Sequence, residues 1–409
     1  MTIPTPSRRI LATLGTALIA VTSAIGVGTA SNATPAAATS VVASVGSSAL
    51  APTKAGGQYI YVSIKGKDTL ASGTIRQYCI VSGVHKTNAA VCPPPTASHP
   101  LRTVQMAVRV AKPGDVIVVT SGTYTEKVGW GARKGTAAAP IVLQSAPGER
   151  ATIAGYLLLR SAHYWTVSGL RFAYSPTTTT GESIVSMLGG SHWVLVNNEI
   201  SGSRGVANLL VRDDSEIADP TAAAPHDYAI QRNCIRDNRG TAGHGLSHNI
   251  YLMPTVYSSG GLIERNLIAG APGGSNIKAA GSSDPNGSPR DLVIRYNTVL
   301  YGASGVISGL GARDVEVVRN AIVRPQNSDA RDGAFKTFRA LYPGRIGVKD
   351  NLFGDYARSI VQSPGEASVF ARRNVSHSGV ALTGSVAGCS AKLADPTLRA
   401  AYGAQATQG

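Results

Sequence analysis

A lysine and a tyrosine occupy matching positions in two repeats of this chain, and together they could move protons. Lys278 and Tyr251 each follow an Asn-Ile pair, so they fall in one column when the repeats are aligned. A partly desolvated lysine has a lowered pKa and can act as a general base. Tyr251 or His248 could donate a proton, and Arg290 or Lys336 could pair with a carboxylate. The alternatives are a solvated lysine on a sheet face and a turn histidine bonded to backbone.

Acidic residues gather in one short stretch of the sequence. They are Asp213, Asp214, Glu216 and Asp219. Hard oxygen ligands that are close in sequence suit calcium, so these four carboxylates are the candidate metal ligands. The spacing is not that of an EF-hand loop, and the alternative is a solvated loop with local salt bridges.

One sequence template recurs through the second half of the chain: an apolar residue, an asparagine three positions later, and an apolar residue two positions further on. Its asparagines are Asn198, Asn233, Asn266, Asn297, Asn320 and Asn351, with a degenerate copy at Asn374. They are 35, 33, 31, 23, 31 and 23 residues apart, which is typical of a stacked solenoid. Asparagine suits a bend because it tolerates left-handed geometry and its side chain bonds turn backbone, so a ladder is expected. The shortest period is close to one coil of a parallel β-helix, and the Leu-rich signature of a horseshoe is absent.

A second strand pattern follows each of these asparagines and defines two columns. The inward column is apolar: Leu209, Ile250, Ile277, Val306, Phe335 and Ile360. Alternation places the following residues outward: Leu210, Tyr251, Lys278, Ile307, Lys336 and Val361. Asn208, Asn249 and Asn276 precede the inward column and are predicted to form an outward polar row, so with Lys336 they are the candidate substrate-binding residues. The longest coils lie between Asn198 and Asn297, and insertions in a solenoid commonly become loops on the binding side.

The chain divides into four predicted regions. Residues 1–30 read as an export signal, because Arg8 and Arg9 precede an apolar stretch that ends in a small-residue cleavage site. A membrane anchor is the alternative, but the Ala, Thr, Ser and Gly content suits a spanning helix poorly. Residues 31–56 are predicted to be a disordered linker. Residues 57–385 are predicted to form the β-helix, and residues 386–409 a C-terminal tail. Helical spacing over 101–111 predicts a helix that caps the first coil.

Charge and composition narrow the classes of partner. The 46 glycines and the low content of charged residues, 15%, suit many short strands joined by tight turns. The formal net charge is +15, and +13 without Arg8 and Arg9, which favours an anionic partner. The basic residues are scattered rather than clustered, which argues against nucleic acid.

The four cysteines fit an exported protein without a dense disulfide scaffold. Cys79 and Cys92 lie 13 positions apart in a polar, Pro-rich segment and are predicted to form a disulfide. Cys234 lies in an apolar strand pattern and is predicted to be a buried free thiol. Cys389, near the C-terminal end, is left open between a free and a paired state.

Five short motifs lie in the predicted first coils: Tyr61-Val62-Ser63, Pro113-Gly114-Asp115, Gly122-Thr123-Tyr124, Pro140-Ile141-Val142-Leu143 and Gly148-Glu149. They resemble the opening coils of a known superfamily, the pectate-lyase-like right-handed parallel β-helix proteins. The superfamily includes pectate lyases, alginate lyases and chondroitinase B-like enzymes, and the resemblance spans residues 57–385. It implies an all-β fold, an outward lysine as the base of a β-elimination, and calcium that bridges a substrate carboxylate. The matching motifs are structural, so they do not identify the substrate.

These observations predict a secreted, monomeric polysaccharide lyase that acts on an acidic uronate polymer. The mature protein is not expected to insert in a membrane. A C5-epimerase begins with the same proton abstraction, and His226-Asp227 could serve a hydrolase or an epimerase equally well. The competing class is a non-catalytic surface or glycan-binding β-helix, since a fold alone does not imply function.

Overall fold

The computed structural model describes residues 57–68, 97–179, 183–240, 247–281, 288–325 and 333–405, together with the backbone of 79–81 and 84–86. The predicted export signal, the predicted linker and Cys92 lie outside the described residues. The proposed pairing of Cys79 with Cys92 therefore stays a prediction. No helix in the described part of the chain is long and apolar enough to cross a membrane.

Parallel strands stack coil upon coil, and each complete coil contributes to two sheets. The first sheet has eleven strands in the described residues. They are Tyr59–Val62, Val116–Val119, Ile141–Ser145, Trp165–Ser168, Val194–Val196, Ala229–Gln231, Gly261–Glu264, Arg290–Arg295, Arg313–Val318, Ile346–Lys349 and Phe370–Arg372. Their neighbours in the sheet are parallel throughout.

The second sheet has seventeen strands in the described residues and carries two rows. The near row follows the bend out of the first sheet and comprises Gly122–Tyr124, Ala151–Ala154, Arg171–Ala173, Glu199–Ser201, Cys234–Arg236, Ala321–Val323, Leu352–Gly354 and Val375–His377. The far row comprises Lys127–Val128, Tyr156–Arg160, Val185–Leu188, Ala207–Arg212, His248–Leu252, Phe335–Phe338 and Ile360–Val361. Two long strands, Leu267–Ala279 and Thr298–Gly309, run through both rows. The predicted right-handed parallel β-helix is confirmed.

The interior of the coils is apolar, as the alignment of the repeats predicts. Pairing registers join Leu209 to Ile250, Ile250 to Ile277 and Ile277 to Val306, and continue the column to Ile360. The first five members of this column, from Leu209 to Phe335, are fully buried. Inward residues therefore form one core that extends along the coils, and the burial of apolar area provides its main stabilisation.

The repeated asparagines form a continuous ladder at the bend between the first sheet and the near row. Each backbone N–H, from Asn198 to Asn351, donates to the Oδ1 atom of the next asparagine at 2.8–3.0 Å. Each Nδ2 atom also donates to a strand carbonyl, such as that of Ile230 for Asn266 at 2.8 Å. The left-handed residue is the one before each asparagine, for example Arg232 with φ of 52° and Arg265 with φ of 56°. The predicted hydrogen bonding is confirmed, and the predicted left-handed position is wrong by one residue.

A short helix, Val104–Val110, covers the first coil within the predicted range of 101–111. The side chain of Thr103 accepts from the N–H of Met106, and Glu126 accepts from the N–H groups of Val104 and Gln105. These acceptors satisfy first-turn donors that have no partner inside a helix. Val104, Ala107 and Val108 are fully buried, so the helix closes the end of the core.

The C-terminal region packs against the outer face of the near row. A hairpin of Leu382–Thr383 and Lys392–Leu393 leads into the helix Pro396–Ala401. A disulfide joins Cys234 to Cys389 with a Cα–Cα distance of 5.7 Å. The prediction of a buried free thiol at Cys234 is wrong, because its side chain points outward from the near row and meets the C-terminal segment. The remaining short elements are the helix Pro220–Ala223, the 3-10 turn Pro343–Arg345 and the antiparallel strands Cys79–Val81 and Val84–Lys86.

We expect Asn266→Ala to destabilise the protein by about 3 kcal/mol, because it leaves several buried hydrogen-bonding groups without partners. The N–H of Asn233 and the carbonyl of Ile230 lose their bonds to this side chain. The measurement is the free energy of unfolding in urea.

Asn374→Ala is the matched control, since Asn374 ends the ladder and is only half-buried. Water can replace its bonds there, so we expect a clearly smaller loss. Equal losses at Asn266 and Asn374 would contradict a ladder whose strength depends on burial.

Candidate functional site

The outward face of the far row forms the candidate site. Pairing registers place Leu210 beside Tyr251, Tyr251 beside Lys278 and Lys278 beside Ile307. The same row continues to Lys336. The predicted outward order is therefore confirmed, with neighbours one strand spacing, about 4.8 Å, apart.

Lys278 is held in an aromatic setting with little exposure. The residue is 7% exposed, and its Nζ atom lies 4.7 Å from the ring centroid of Tyr251 and 5.4 Å from that of Phe338. Within the described residues it has neither an ion pair nor a hydrogen bond. Burial lowers the pKa of Lys278 from its ordinary value of 10.5, because desolvation penalises the ammonium form. Lys278 is therefore a buried, desolvated lysine and not a freely solvated side chain on the sheet face.

Tyr251 lies next to Lys278 and has the opposite tendency. Burial raises the pKa of the Tyr251 phenol, because desolvation penalises the phenolate. Its hydroxyl has no hydrogen bond within the described part of the chain. Burial thus favours the neutral form of both groups, a free amine at Lys278 and a protonated phenol at Tyr251. A free amine can accept a proton and a phenol can donate one.

His248 lies behind this pair instead of facing outward. It is fully buried, and its Nδ1 atom lies 2.9 Å from the Oγ atom of Ser275 and accepts from the Ser275 N–H at 3.1 Å. Its ring is tilted against that of Tyr251 with a centroid distance of 5.0 Å. His248 begins the strand His248–Leu252 and bonds to Ser275 of the next coil, so it is neither an outward residue nor a turn residue. Its contact with the candidate site is with the Tyr251 ring.

The predicted outward polar row is wrong in its direction. Asn208, Asn249 and Asn276 are fully buried and form a second, shorter ladder. Nδ2 of Asn208 donates to Oδ1 of Asn249 at 2.6 Å, and Nδ2 of Asn249 donates to Oδ1 of Asn276 at 2.7 Å. Each amide also donates to a main-chain carbonyl at the bend between the near and far rows. These side chains are therefore not available to a substrate.

The two predicted carboxylate partners lie in different places. Lys336 is half-buried and faces outward on the same row, two coils beyond Lys278. Arg290 begins a strand of the first sheet, and its Nε atom lies 3.6 Å from the carboxylate of Asp291. Only Lys336 shares the face of Lys278. Phe338 was missed by sequence reasoning, although alternation from Lys336 places it outward two residues later.

The four predicted metal ligands make contacts with protein groups, and two of them share Arg160. Asp214 is buried, and its carboxylate accepts hydrogen bonds from the Arg160 guanidinium at 2.8 Å and from the Ser161 hydroxyl at 2.8 Å. Asp213 accepts from the N–H of Thr255, and Glu216 pairs with Arg160. Asp219 caps the short helix Pro220–Ala223. Among the described residues, no group of three or more His, Cys, Asp or Glu side chains could hold a metal ion. The four carboxylates do not form such a group, and calcium binding stays a prediction.

His226 and Asp227 lie away from this face, next to the strand Ala229–Gln231 of the first sheet. The Nδ1 atom of His226 lies 3.2 Å from the Oγ atom of Ser259, and its Nε2 atom lies 2.9 Å from the carbonyl oxygen of Thr221. Asp227 lies 3.7 Å from His192. His226 and Asp227 therefore contact Ser259, Thr221 and His192, and they are not part of the site at Lys278.

Comparisons with known proteins identify the fold. No protein-family model matches the chain, and no curated protein does. A lacto-N-biosidase from Eubacterium ramulus is similar with a TM-score of 0.51 and 14% identity, over 78% of this chain and 68% of that one. An alginate lyase from Paenibacillus sp. has a TM-score of 0.45 and 17% identity, over 66% and 96%. A pectate lyase has a TM-score of 0.45 and 13% identity, over 78% and 80%. The likeness to the lacto-N-biosidase is one of fold alone.

We expect Lys278 to titrate at a pH below 10.5, since burial favours its neutral form. The measurement is an NMR titration of lysine side chains labelled with carbon-13, in which Lys278→Arg identifies the resonance by its loss. The other lysines of the sample provide an internal reference. A midpoint at or above 10.5 would show that the aromatic setting does not desolvate the ammonium group.

Proposed function

We propose that this protein is a secreted polysaccharide lyase that cleaves an anionic uronate polymer by β-elimination. The observation that carries the proposal is the Lys278–Tyr251 pair, 4.7 Å from Nζ to ring centroid, on the outward face of adjacent coils. Burial favours the neutral amine of Lys278, which is the form that can take a proton. The coils that carry Tyr251 and Lys278 are longer than the shortest coils of the chain, and insertions in a solenoid commonly form loops on the binding side.

The reaction assigns one proton transfer to each residue. The neutral amine of Lys278 removes the proton on C5 of a uronate, and the electrons of that bond form a C4–C5 double bond. The C4–O bond breaks, and its oxygen departs with the hydroxyl proton of Tyr251. The products are a chain with an unsaturated uronate end and a second chain with a new hydroxyl. Proton return from Lys278 to the phenolate, through solvent, restores both groups.

Cations are needed where negative charge builds on the uronate carboxylate. Lys336 is a cation on the same outward row, about two strand spacings from Lys278, and could pair with this carboxylate. The formal charge of +15 also attracts an acidic polymer over longer distances. Arg290 is not part of the proposal because it lies on the other sheet, and no step is routed through calcium.

Export is supported by the bond between Cys234 and Cys389, since disulfides persist mainly in oxidising compartments. The predicted export signal of residues 1–30 agrees with this location. A secreted location also places the protein where extracellular acidic polysaccharides occur.

We expect the mature protein to generate ultraviolet absorbance from unsaturated uronate ends on one of the polymers pectate, alginate, chondroitin or heparin. Lys278→Met should reduce turnover at least about a hundredfold, because the proton acceptor is lost. Activity should rise with pH along a limb whose midpoint lies below 10.5, as Lys278 becomes neutral.

The matched control is Lys349→Met, which removes a half-buried lysine that pairs with Glu316 on the first sheet. It should leave turnover unchanged. Absorbance that survives in Lys278→Met would remove Lys278 as the base. A flat signal on every polymer, with hydrogen exchange at C5 in deuterated water, would indicate an epimerase instead.

A further inference from the structure

The most exposed large apolar residue in the described part of the chain is Trp130, which is 82% exposed. Its loop is nevertheless firmly held. The Gln105 side chain, from the capping helix, donates to the Trp130 carbonyl at 2.7 Å and accepts from the N–H groups of Gly129 and Trp130 at 2.8 and 3.1 Å. An indole on a rigid backbone loses little conformational entropy when it binds a ligand.

Gly129 fixes the same loop against the β-helix. It has a φ of +121°, and a Cβ atom there would lie 1.8 Å from the carbonyl oxygen of Leu158. Only glycine permits this close approach, which sets the Trp130 loop on the outward face of the far row. The exposure of Trp130 is thus built into the fold and does not result from a loose segment.

A cavity of about 480 Å³ lies beside Trp130. Its lining includes Tyr156, Leu158, Lys127 and Arg160. The Nζ atom of Lys127 lies 5.6 Å from the ring centroid of Tyr156, and Lys127 has no ion pair within the described residues. Arg160 is paired with Asp214 and Glu216, so Lys127 is the cation left for a ligand. Aromatic walls with a few polar groups are typical of ligand pockets.

This cavity lies on the same outward row as the candidate site. Registers connect Leu158 to Ser186, Ser186 to Leu210, Leu210 to Tyr251 and Tyr251 to Lys278. Four strand spacings place Leu158 about 19 Å from Lys278. One extended polymer chain that lies along the row could therefore contact both ends.

We propose that Trp130, Tyr156 and Lys127 form a distal subsite that binds a uronate residue of the polymer whose reacting residue lies at Lys278. The indole packs on the apolar face of the sugar ring, and Lys127 pairs with its carboxylate. This inference rests on the proposed function for the identity of the ligand. It makes Trp130 a specificity residue for long, acidic chains.

Tryptophan fluorescence gives a direct test. The chain has three tryptophans, and Trp165 and Trp193 are fully buried, so quenching by acrylamide reports chiefly on Trp130. We expect polygalacturonate or alginate to shield Trp130 in the Lys278→Met variant, in which the expected loss of turnover keeps the polymer intact during the measurement. Trp130→Ala in the same background should weaken polymer binding about tenfold by calorimetry. Phe370→Ala is the control, since Phe370 is an exposed aromatic, at 47%, on the first sheet.

Failure of the subsite and failure of the lyase proposal give different results. Turnover by the wild-type protein, with unchanged quenching and equal binding by Trp130→Ala, would overturn the subsite and leave the lyase proposal intact. Shielding of Trp130 and its tenfold effect without any turnover would support the subsite and refute the lyase. Absence of binding to every polymer tested would overturn the subsite.

Discussion

The structure depends on a hydrogen-bond requirement at one bend. Where the chain turns out of the first sheet, main-chain groups no longer bond to the neighbouring strands of that sheet. They are buried between coils, so they need other hydrogen-bond partners. The asparagine ladder supplies them: Asn266, for example, bonds to the coils on both sides through its backbone and its amide. Because each asparagine must meet the next one, the ladder fixes how successive coils align. A shift of one residue would break the ladder and turn the core outward.

This alignment is what creates a candidate site from residues far apart in sequence. Tyr251 and Lys278 are neighbours only because their coils are in register, and the same register carries the row from Leu158 to Lys336. The length of the loops can vary between coils without disturbing this register. The asparagine bend is repeated while the loops differ in length, so the β-helix can keep one face ordered.

The sequence predicted the parts of the fold that repeat. The spacing of the asparagines and the alternation around Ile250 and Ile277 gave the β-helix, its core and its outward row. Prediction failed at the bends, where alternation does not apply. Asn249 turns inward because the carbonyl of Ala269 and the amide of Asn276 need partners there. The pairing of Cys234 with Cys389 was missed because it joins residues 155 positions apart, through a C-terminal segment without the repeat.

The aromatic setting of Lys278 has an energetic cost that the fold must offset. Burial lowers its pKa below 10.5, so the charged form is disfavoured in the folded state. The cost is therefore fully present below the folded-state pKa, where lysine is charged both folded and unfolded. It disappears as the pH rises past 10.5, where the amine is neutral in both states. Desolvation of the Lys278 ammonium therefore lowers the stability of the folded state near neutral pH. The presence of Lys278 between Tyr251 and Phe338 is easier to understand as a requirement of chemistry than of folding.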